Sequence, residues 1–128
     1  MGSLTTGINF PEVLMHEMGL VQNIIEILEH QAHLNNASRV VSVQLEFGAL
    51  TAVLPAAITF AFEILSKGSV MEGAQLDVTI IPIKVSCSDC GKEAILQEYQ
   101  PFCPACSSPA LRITGGRDEM RVASMEIE

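Results

Sequence analysis

Four cysteines lie in two closely spaced pairs in the C-terminal third of the 128-residue chain. The pairs are CSDC, with Cys87 and Cys90, and CPAC, with Cys103 and Cys106, and twelve residues separate them. Each C-x-x-C segment can place two thiolates on one ion, and two such segments complete a tetrahedron. Gly91, directly after the first pair, lets the backbone turn so that N–H groups face the sulfurs. The spacing predicts a structural zinc site with four protein ligands and no open position.

Other uses of the four cysteines stay open at this point. Tetrahedral sulfur also suits iron of the rubredoxin type, and the thiols could instead form a redox pair or disulfides. Disulfides are typical of secreted chains, but the sequence shows no Lys- or Arg-headed apolar segment that ends in a small-residue cleavage site. No apolar run reaches the roughly 18 residues of a membrane span. We therefore expect a soluble, cytoplasmic protein that binds a metal through these cysteines.

The composition limits the classes of partner. The chain has 15 acidic and 7 basic residues, a formal net charge of −8, one Tyr and no Trp. Nucleic-acid affinity depends mainly on phosphate neutralisation by Lys and Arg, so a nucleic-acid partner is not expected. A metal ion or a basic protein surface suits the charge better. With 48% hydrophobic residues, the chain can form a packed core of about one domain.

The spacing of apolar residues predicts an α+β fold with two helices and a small three-stranded sheet. The expected elements are a helix over 16–34, a strand over 39–47, a helix over 55–67, a strand over 75–81 and a last strand after the Gly115–Gly116 pair. In that last strand, Met120 and Val122 share one parity, whereas Met125 and Ile127 share the other. A strand cannot change faces without an extra residue, so we expect a β-bulge near Ala123–Ser124.

The order of these elements defines the expected domains. The cysteine segment lies before the last strand, which the sheet needs, so residues 84–115 are expected to form an inserted, zinc-ribbon-like module. Residues 15–83 and 116–128 would then form the α+β domain. Residues 1–14 show no clear helical or strand period and carry Gly2, Ser3, Gly7 and Pro11. We interpret them as an N-terminal extension outside the core, either a tag or the product of an upstream start codon.

The three histidines, His16, His30 and His33, all lie far from the cysteines in sequence. His30 and His33 could form a metal pair, but a solvated helix face on which they contact Glu26 and Glu29 is the favoured interpretation. His16, taken alone, is an ordinary residue in the first turn of a helix. We find no Gly-rich phosphate loop, no Ser–His–Asp set and no paired carboxylates at a helix end, so no catalytic residues are assigned.

Three segments together resemble the HypA/HybF family of nickel metallochaperones for [NiFe]-hydrogenase maturation. They are MHEMGLVQNIIEIL from Met15, the CSDC and CPAC pairs, and GGRDEMRVASMEIE at the end, and the resemblance runs from Met15 to Glu128. It implies a nickel-binding α+β domain with a zinc domain inserted before the last strand. It also implies a non-catalytic carrier with structural Zn²⁺ and Ni²⁺ as transient cargo.

The resemblance further implies where nickel binds and which partners take part. The ligand would be the His16 side chain, with backbone nitrogens of His16 and Glu17 and with the Glu17 side chain tuning the site. The family's chain begins at the methionine that corresponds to Met15, whereas fourteen residues precede Met15 here, so its nitrogen is not a free amine. The implied partners are a HypB-type maturation GTPase, the hydrogenase large-subunit precursor and a second copy of the chain. The alternative is a zinc-ribbon module that recruits a protein or a nucleic acid.

Overall fold

The computed structural model describes residues 2–9 and 17–128. Within these ranges the chain forms two α-helices and seven β-strands, with one short 3₁₀ turn after the second strand. In chain order they are β1 (Gly2–Asn9), α1 (Glu17–Leu34), β2 (Val40–Gly48), the 3₁₀ turn (Ala49–Thr51), α2 (Pro55–Leu65), β3 (Gln75–Ile81), β4 (Ile83–Cys87), β5 (Glu93–Leu96), β6 (Leu111–Gly115) and β7 (Met120–Ile127). In the part of the chain that the structure describes, neither helix is long and apolar enough to cross a membrane.

The two helices form as the apolar spacing predicts. The buried face of α1 is a stripe at helical spacing that includes Val21, Ile24 and Leu28. Pro55 occupies the first turn of α2, where its missing N–H costs no hydrogen bond. This helix ends at Leu65, two residues before the predicted 67. Ser66 is its C-cap, and the Ser66 N–H makes the last bond of the helix, to the Phe62 carbonyl.

The sheet of the α+β unit has four strands in the order β1-β7-β2-β3. The predicted α+β class is confirmed, and the last strand lies beside β2, as expected for a chain that returns to its first sheet. The prediction of three strands is wrong, because residues 2–9 of the N-terminal extension add a strand antiparallel to β7. Leu4, Thr6 and Ile8 alternate with more exposed residues in β1, a pattern that Gly2 and Gly7 obscure in the sequence.

The change of parity in β7 is present at the predicted position. Met120, Val122, Met125 and Ile127 are all buried, although the first two and the last two have opposite parity. The register between β1 and β7 shifts at the same point, between the pairs formed by Ser124 and by Val122. Three residue steps in β1, from Thr5 to Ile8, lie opposite two in β7, so the extra residue of this pairing is in β1 and not, as predicted, in β7.

The chain divides into two compact units. One comprises the described residues up to Glu46 together with Val53–Thr79 and Met120–Glu128, and the other comprises Phe47–Ala52 and Ile80–Glu119. The second unit, called the cysteine unit below, contains a three-stranded antiparallel sheet in the order β5-β4-β6. Its small core consists of Ile83, Val85 and Leu96, with four partly buried apolar residues around them.

Candidate metal centre

The four cysteine sulfurs converge at one end of the cysteine unit. All four Sγ atoms lie within 4.8 Å of one another, with 3.6 Å between those of Cys87 and Cys106 and 3.7 Å between those of Cys90 and Cys103. All four cysteines are free. Among residues 2–9 and 17–128, they form the group of potential ligands that is close enough to hold one metal ion.

The first cysteine pair forms a tight turn at the end of β4. The Gly91 N–H donates to the Cys87 carbonyl at 3.0 Å, and the Cys87 N–H donates to the Lys92 carbonyl, also at 3.0 Å. Gly91 has a φ of 72°, in the left-handed region, which glycine adopts without the steric cost of a Cβ atom. The sequence-based role of Gly91 as a turn residue agrees with this geometry.

The second pair repeats the same turn with different residues. The Ser107 N–H donates to the Cys103 carbonyl at 2.8 Å, and the Cys103 N–H donates to the Ser108 carbonyl at 2.8 Å. Ser107 takes the place of Gly91 and also has a positive φ of 63°. The Ala105 N–H points at the Cys103 sulfur at 3.4 Å. The two turns are thus equivalent halves of one site.

A side-chain contact links the two halves. The Ser108 hydroxyl donates to the Asp89 carboxylate, and its oxygen accepts from the Ala110 N–H at 3.1 Å. A backbone bond from the Ser88 N–H to the Ala110 carbonyl, at 3.0 Å, lies alongside. Sequence reasoning missed Asp89 and Ser108, because their spacing shows no motif and only the fold brings them together.

The surroundings of the sulfurs shift their acidities in opposite directions. Backbone N–H groups, first that of Cys106 and then that of Ala105, lower the pKa of the Cys103 thiol from 9.0 to about 7 against the effect of desolvation. Backbone N–H groups of the first turn lower the pKa of Cys87 in the same way. The Ser108 N–H also favours the Cys106 thiolate, but desolvation and the three neighbouring sulfurs outweigh it and raise the pKa to about 12. Four thiolates at these distances therefore require a compensating cation.

The arrangement suits tetrahedral binding of one metal ion by four sulfur ligands. Four soft sulfur donors on two equivalent turns match the tetrahedral coordination that Zn²⁺ takes in structural sites. Because protein sulfur fills every position, no site remains for a hydrolytic water or a substrate. The sulfur separations are far longer than the roughly 2.05 Å of a disulfide bond, which agrees with four free cysteines and not with the disulfide alternative.

Close backbone contacts hold the strands that carry the site. Gly116, with a φ of 77°, lies so near Pro82 that a Cβ atom there would be 2.3 Å from the Pro82 carbonyl oxygen. The Glu119 carboxylate accepts from the Gly116 N–H at 2.9 Å, and its main-chain carbonyl accepts from the Gly48 N–H at 2.8 Å. Gly116, the second glycine of the pair, is therefore the point where two backbone segments pass in close contact.

Of the two residues predicted to bind nickel, the structure describes only Glu17. His16 lies outside the described residues, and Glu17 is the first residue of α1, with a partly exposed side chain. His30 and His33 are exposed on α1, and in the described ranges they do not belong to a group close enough to bind a metal. Their interpretation as part of a solvated helix face is consistent with this exposure.

Comparison with known proteins gives a single result. Residues 15–127 match the family described as hydrogenase/urease nickel incorporation, metallochaperone, hypA. The hydrogenase maturation factor HybF of Proteus vulgaris and HypA of Geobacter metallireducens are each 40% identical over 114 residues, which are 89% of this chain and all of the relative. The solution structure of the Ni metallochaperone HypA from Helicobacter pylori, 30% identical, matches with a TM-score of 0.61 over 88% of this chain and 97% of that one.

Proposed function

Because the chain belongs to the HypA family of hydrogenase/urease nickel-incorporation metallochaperones, we infer that it is a nickel metallochaperone for hydrogenase maturation. The observation that carries this inference is the match itself. It includes Met15, His16 and Glu17 at one end, the four cysteines and the last strand, and it spans the relatives completely. We propose that the chain carries and releases a metal ion in the cytoplasm and catalyses no reaction.

Zinc is proposed as the permanent metal of the cysteine unit. The four converging sulfurs support this assignment, and four bound thiolates would leave Zn²⁺ with a local charge of about −2. The apolar core of the unit is small, so metal binding would supply much of its folding free energy. Iron is the alternative metal for such a site, and metal analysis of the purified protein separates the two.

Nickel is proposed to bind at His16, with backbone nitrogens of His16 and Glu17 as further ligands. Ni²⁺ favours imidazole and amide nitrogen in square-planar geometry, which a zinc site of four thiolates does not provide. Support comes from the family match, which begins at Met15. A site built from few ligands at the start of a helix suits a carrier, because the cargo must also be released.

The partners are proposed by class. A HypB-type GTPase and the hydrogenase large-subunit precursor would receive or help to transfer the nickel, since the curated relatives are named hydrogenase maturation factors. The net charge of −8 supports protein partners with basic surfaces over nucleic acid.

The test is a calorimetric Ni²⁺ titration of zinc-loaded protein. Two chains are compared, one that starts at Met1 and one that starts at Met15, each with a His16→Ala variant. We expect the Met15 chain to bind one nickel and the His16→Ala variant to lose that binding. His33→Ala is the matched control, because His33 is an exposed histidine on α1, and this variant should bind nickel normally.

Two results would contradict the nickel proposal. If neither chain binds nickel, the alternative function is favoured, in which the chain is a zinc-ribbon module that recruits a protein or a nucleic acid. If His16→Ala binds as tightly as the unsubstituted chain, the metal uses other ligands. Binding by the Met15 chain alone would show that the N-terminal extension blocks the site.

A further inference from the structure

The β1 strand covers a sheet edge that would otherwise be open. β7 lies between β1 and β2, and its pairing with β1 extends from Gly2 opposite Ile127 to Asn9 opposite Arg121. The Thr6 hydroxyl also donates to the Val122 carbonyl, so the backbone of β7 is satisfied on this side by the extension. Residues 1–14 lie outside the family match, which begins at residue 15. The domain that the family shares therefore has β7 at its edge, and β1 is an addition to it.

Without β1, β7 would have the properties of an edge that pairs with other chains. It is eight residues long, MRVASMEI, with neither proline nor glycine, and the charges of Arg121 and Glu126 cancel. Long edges of this composition form intermolecular strand pairs readily. β1 is a poorer template, because Gly7 has a positive φ of 58° and its register with β7 is interrupted between Thr5 and Ile8.

The sequence of β7 is complementary to itself. Antiparallel pairing with a second copy about the Ala123–Ser124 bond places Arg121 of each copy opposite Glu126 of the other. The same register places Met120 opposite Ile127 and Val122 opposite Met125. All four of these apolar residues are buried on the core side despite their change of parity, so this register keeps the two cores on the same side of one continuous sheet. Opposite charges and apolar residues that face each other across strands both stabilise such a pair. Arg121 already forms an ion pair with Glu46 of β2 at 2.6 Å, so Glu126 of the second copy would be a second carboxylate beside it.

We propose that β1 guards the β7 edge and keeps the chain monomeric, and that a second copy pairs through β7 when β1 is removed or displaced. In the monomer, residues 2–9 of the same chain pair with the β7 edge. In the dimer, β7 of a second copy pairs with it instead. This inference rests on the contacts between β1 and β7 and does not depend on nickel binding at His16.

The experiment measures molar mass by light scattering over a range of concentrations, using zinc-loaded protein without nickel. The full chain should remain monomeric, whereas the chain that starts at Met15 should approach twice the mass of one chain as its concentration rises. Thr6→Pro in the full chain should behave as the shortened chain does, because it removes the Thr6 hydroxyl that donates to the Val122 carbonyl and also the Thr6 N–H, without shortening the chain. Thr5→Val is the matched control, since Thr5 is an exposed strand residue and valine retains the pairing.

The register is tested by reversing one charge. Glu126→Arg in the shortened chain places arginine opposite Arg121 in both halves of the pair and should return the protein to a monomer. In the full chain, Glu126 faces the neutral Ser3, so the same substitution should leave the monomer unchanged. A monomeric shortened chain together with a monomeric Thr6→Pro chain would overturn the proposal. So would a dimer that Glu126→Arg does not weaken, or polydisperse aggregates in place of a dimer.

Discussion

Ser107 adopts, after the second cysteine pair, the left-handed backbone conformation that Gly91 adopts after the first, with φ angles of 63° and 72°. Each N–H donates to the carbonyl of the first cysteine in its own pair. The two residues thus have the same backbone conformation and hydrogen bond, but only glycine adopts this conformation without the steric cost of a Cβ atom. The second turn is consequently the more strained half of the site.

We expect Ser107→Gly to stabilise the cysteine unit by about 0.5–1 kcal/mol, because relief of the left-handed strain exceeds the added flexibility of the unfolded chain. Urea denaturation of zinc-loaded protein measures this difference. Ser107→Ala is the control, since alanine keeps the strain and should bring no gain. Equal effects of glycine and alanine would show that the serine side chain, and not the φ angle, limits stability.

Gly116→Ala should destabilise the cysteine unit by more than about 3 kcal/mol. The new Cβ atom would lie 2.3 Å from the Pro82 carbonyl oxygen, and the φ of 77° is itself costly for alanine. The neighbouring Gly115→Ala is the matched control, because its Cβ atom would meet nothing nearer than Lys84 Cβ at 3.5 Å. Thermal unfolding of both variants should show a large loss for Gly116→Ala alone, and similar midpoints would argue against the close crossing of backbones.

Ser108→Ala should accelerate the loss of zinc and cost about 1–2 kcal/mol, because it breaks the contact to Asp89 and leaves the Ala110 N–H without this acceptor. Competition with a chromophoric chelator measures the rate of zinc release. Ser88→Ala removes an exposed hydroxyl from the other half of the site and should release zinc at the original rate. If both variants behave alike, the link between the two turns does not hold the site together.

Zinc affinity should fall with acidification, most steeply below about pH 7. The lowered pKa of Cys103, about 7, keeps this ligand ionised down to that pH, and below it zinc must displace its proton. Cys106, with its pKa raised to about 12, releases a proton to zinc throughout the neutral range. Calorimetry in buffers of different ionisation enthalpy should therefore find that more protons are released per zinc at pH 6 than at pH 8. A proton count that does not change with pH would contradict the shift at Cys103.

Removal of zinc by a chelator should unfold the cysteine unit while the helices persist. The α+β unit has its own core around Leu28, Ile58 and Phe62, whereas the cysteine unit has only a small core, so we expect its folding to depend on the proposed zinc. Hydrogen exchange should show lost protection in β4, β5 and β6 and retained protection in α1 and α2. Loss of protection in all elements at once would mean that the two units unfold as one.

Much of the site could be predicted from local features of the sequence. The spacing of Cys87, Cys90, Cys103 and Cys106 is enough to bring four sulfurs to one ion, because each turn is only a few residues long. The helix over 16–34 and the strand over 39–47 agree closely with α1 and β2, since side-chain periodicity is a local property. The backbone turn at Gly91 was also predictable, because a glycine directly follows the first cysteine pair.

Contacts between distant parts of the chain were not predictable in this way. The Ser108–Asp89 contact joins residues 19 positions apart, and the Thr6–Val122 bond joins residues 116 positions apart. Neither pair forms a pattern in the sequence, because hydrogen bonds between distant side chains and strands depend on where the whole fold places them.

By itself, the sequence determined that four cysteines can meet at one point, and it determined the two helices and the change of faces in the last strand. Each of these depends on the types and spacing of neighbouring residues. Only the tertiary structure decided that residues 2–9 form a fourth strand, that Ser107 takes the role of a glycine and that Gly116 crosses Pro82. In these cases local propensity is weak, and pairing or packing with distant backbone selects the conformation.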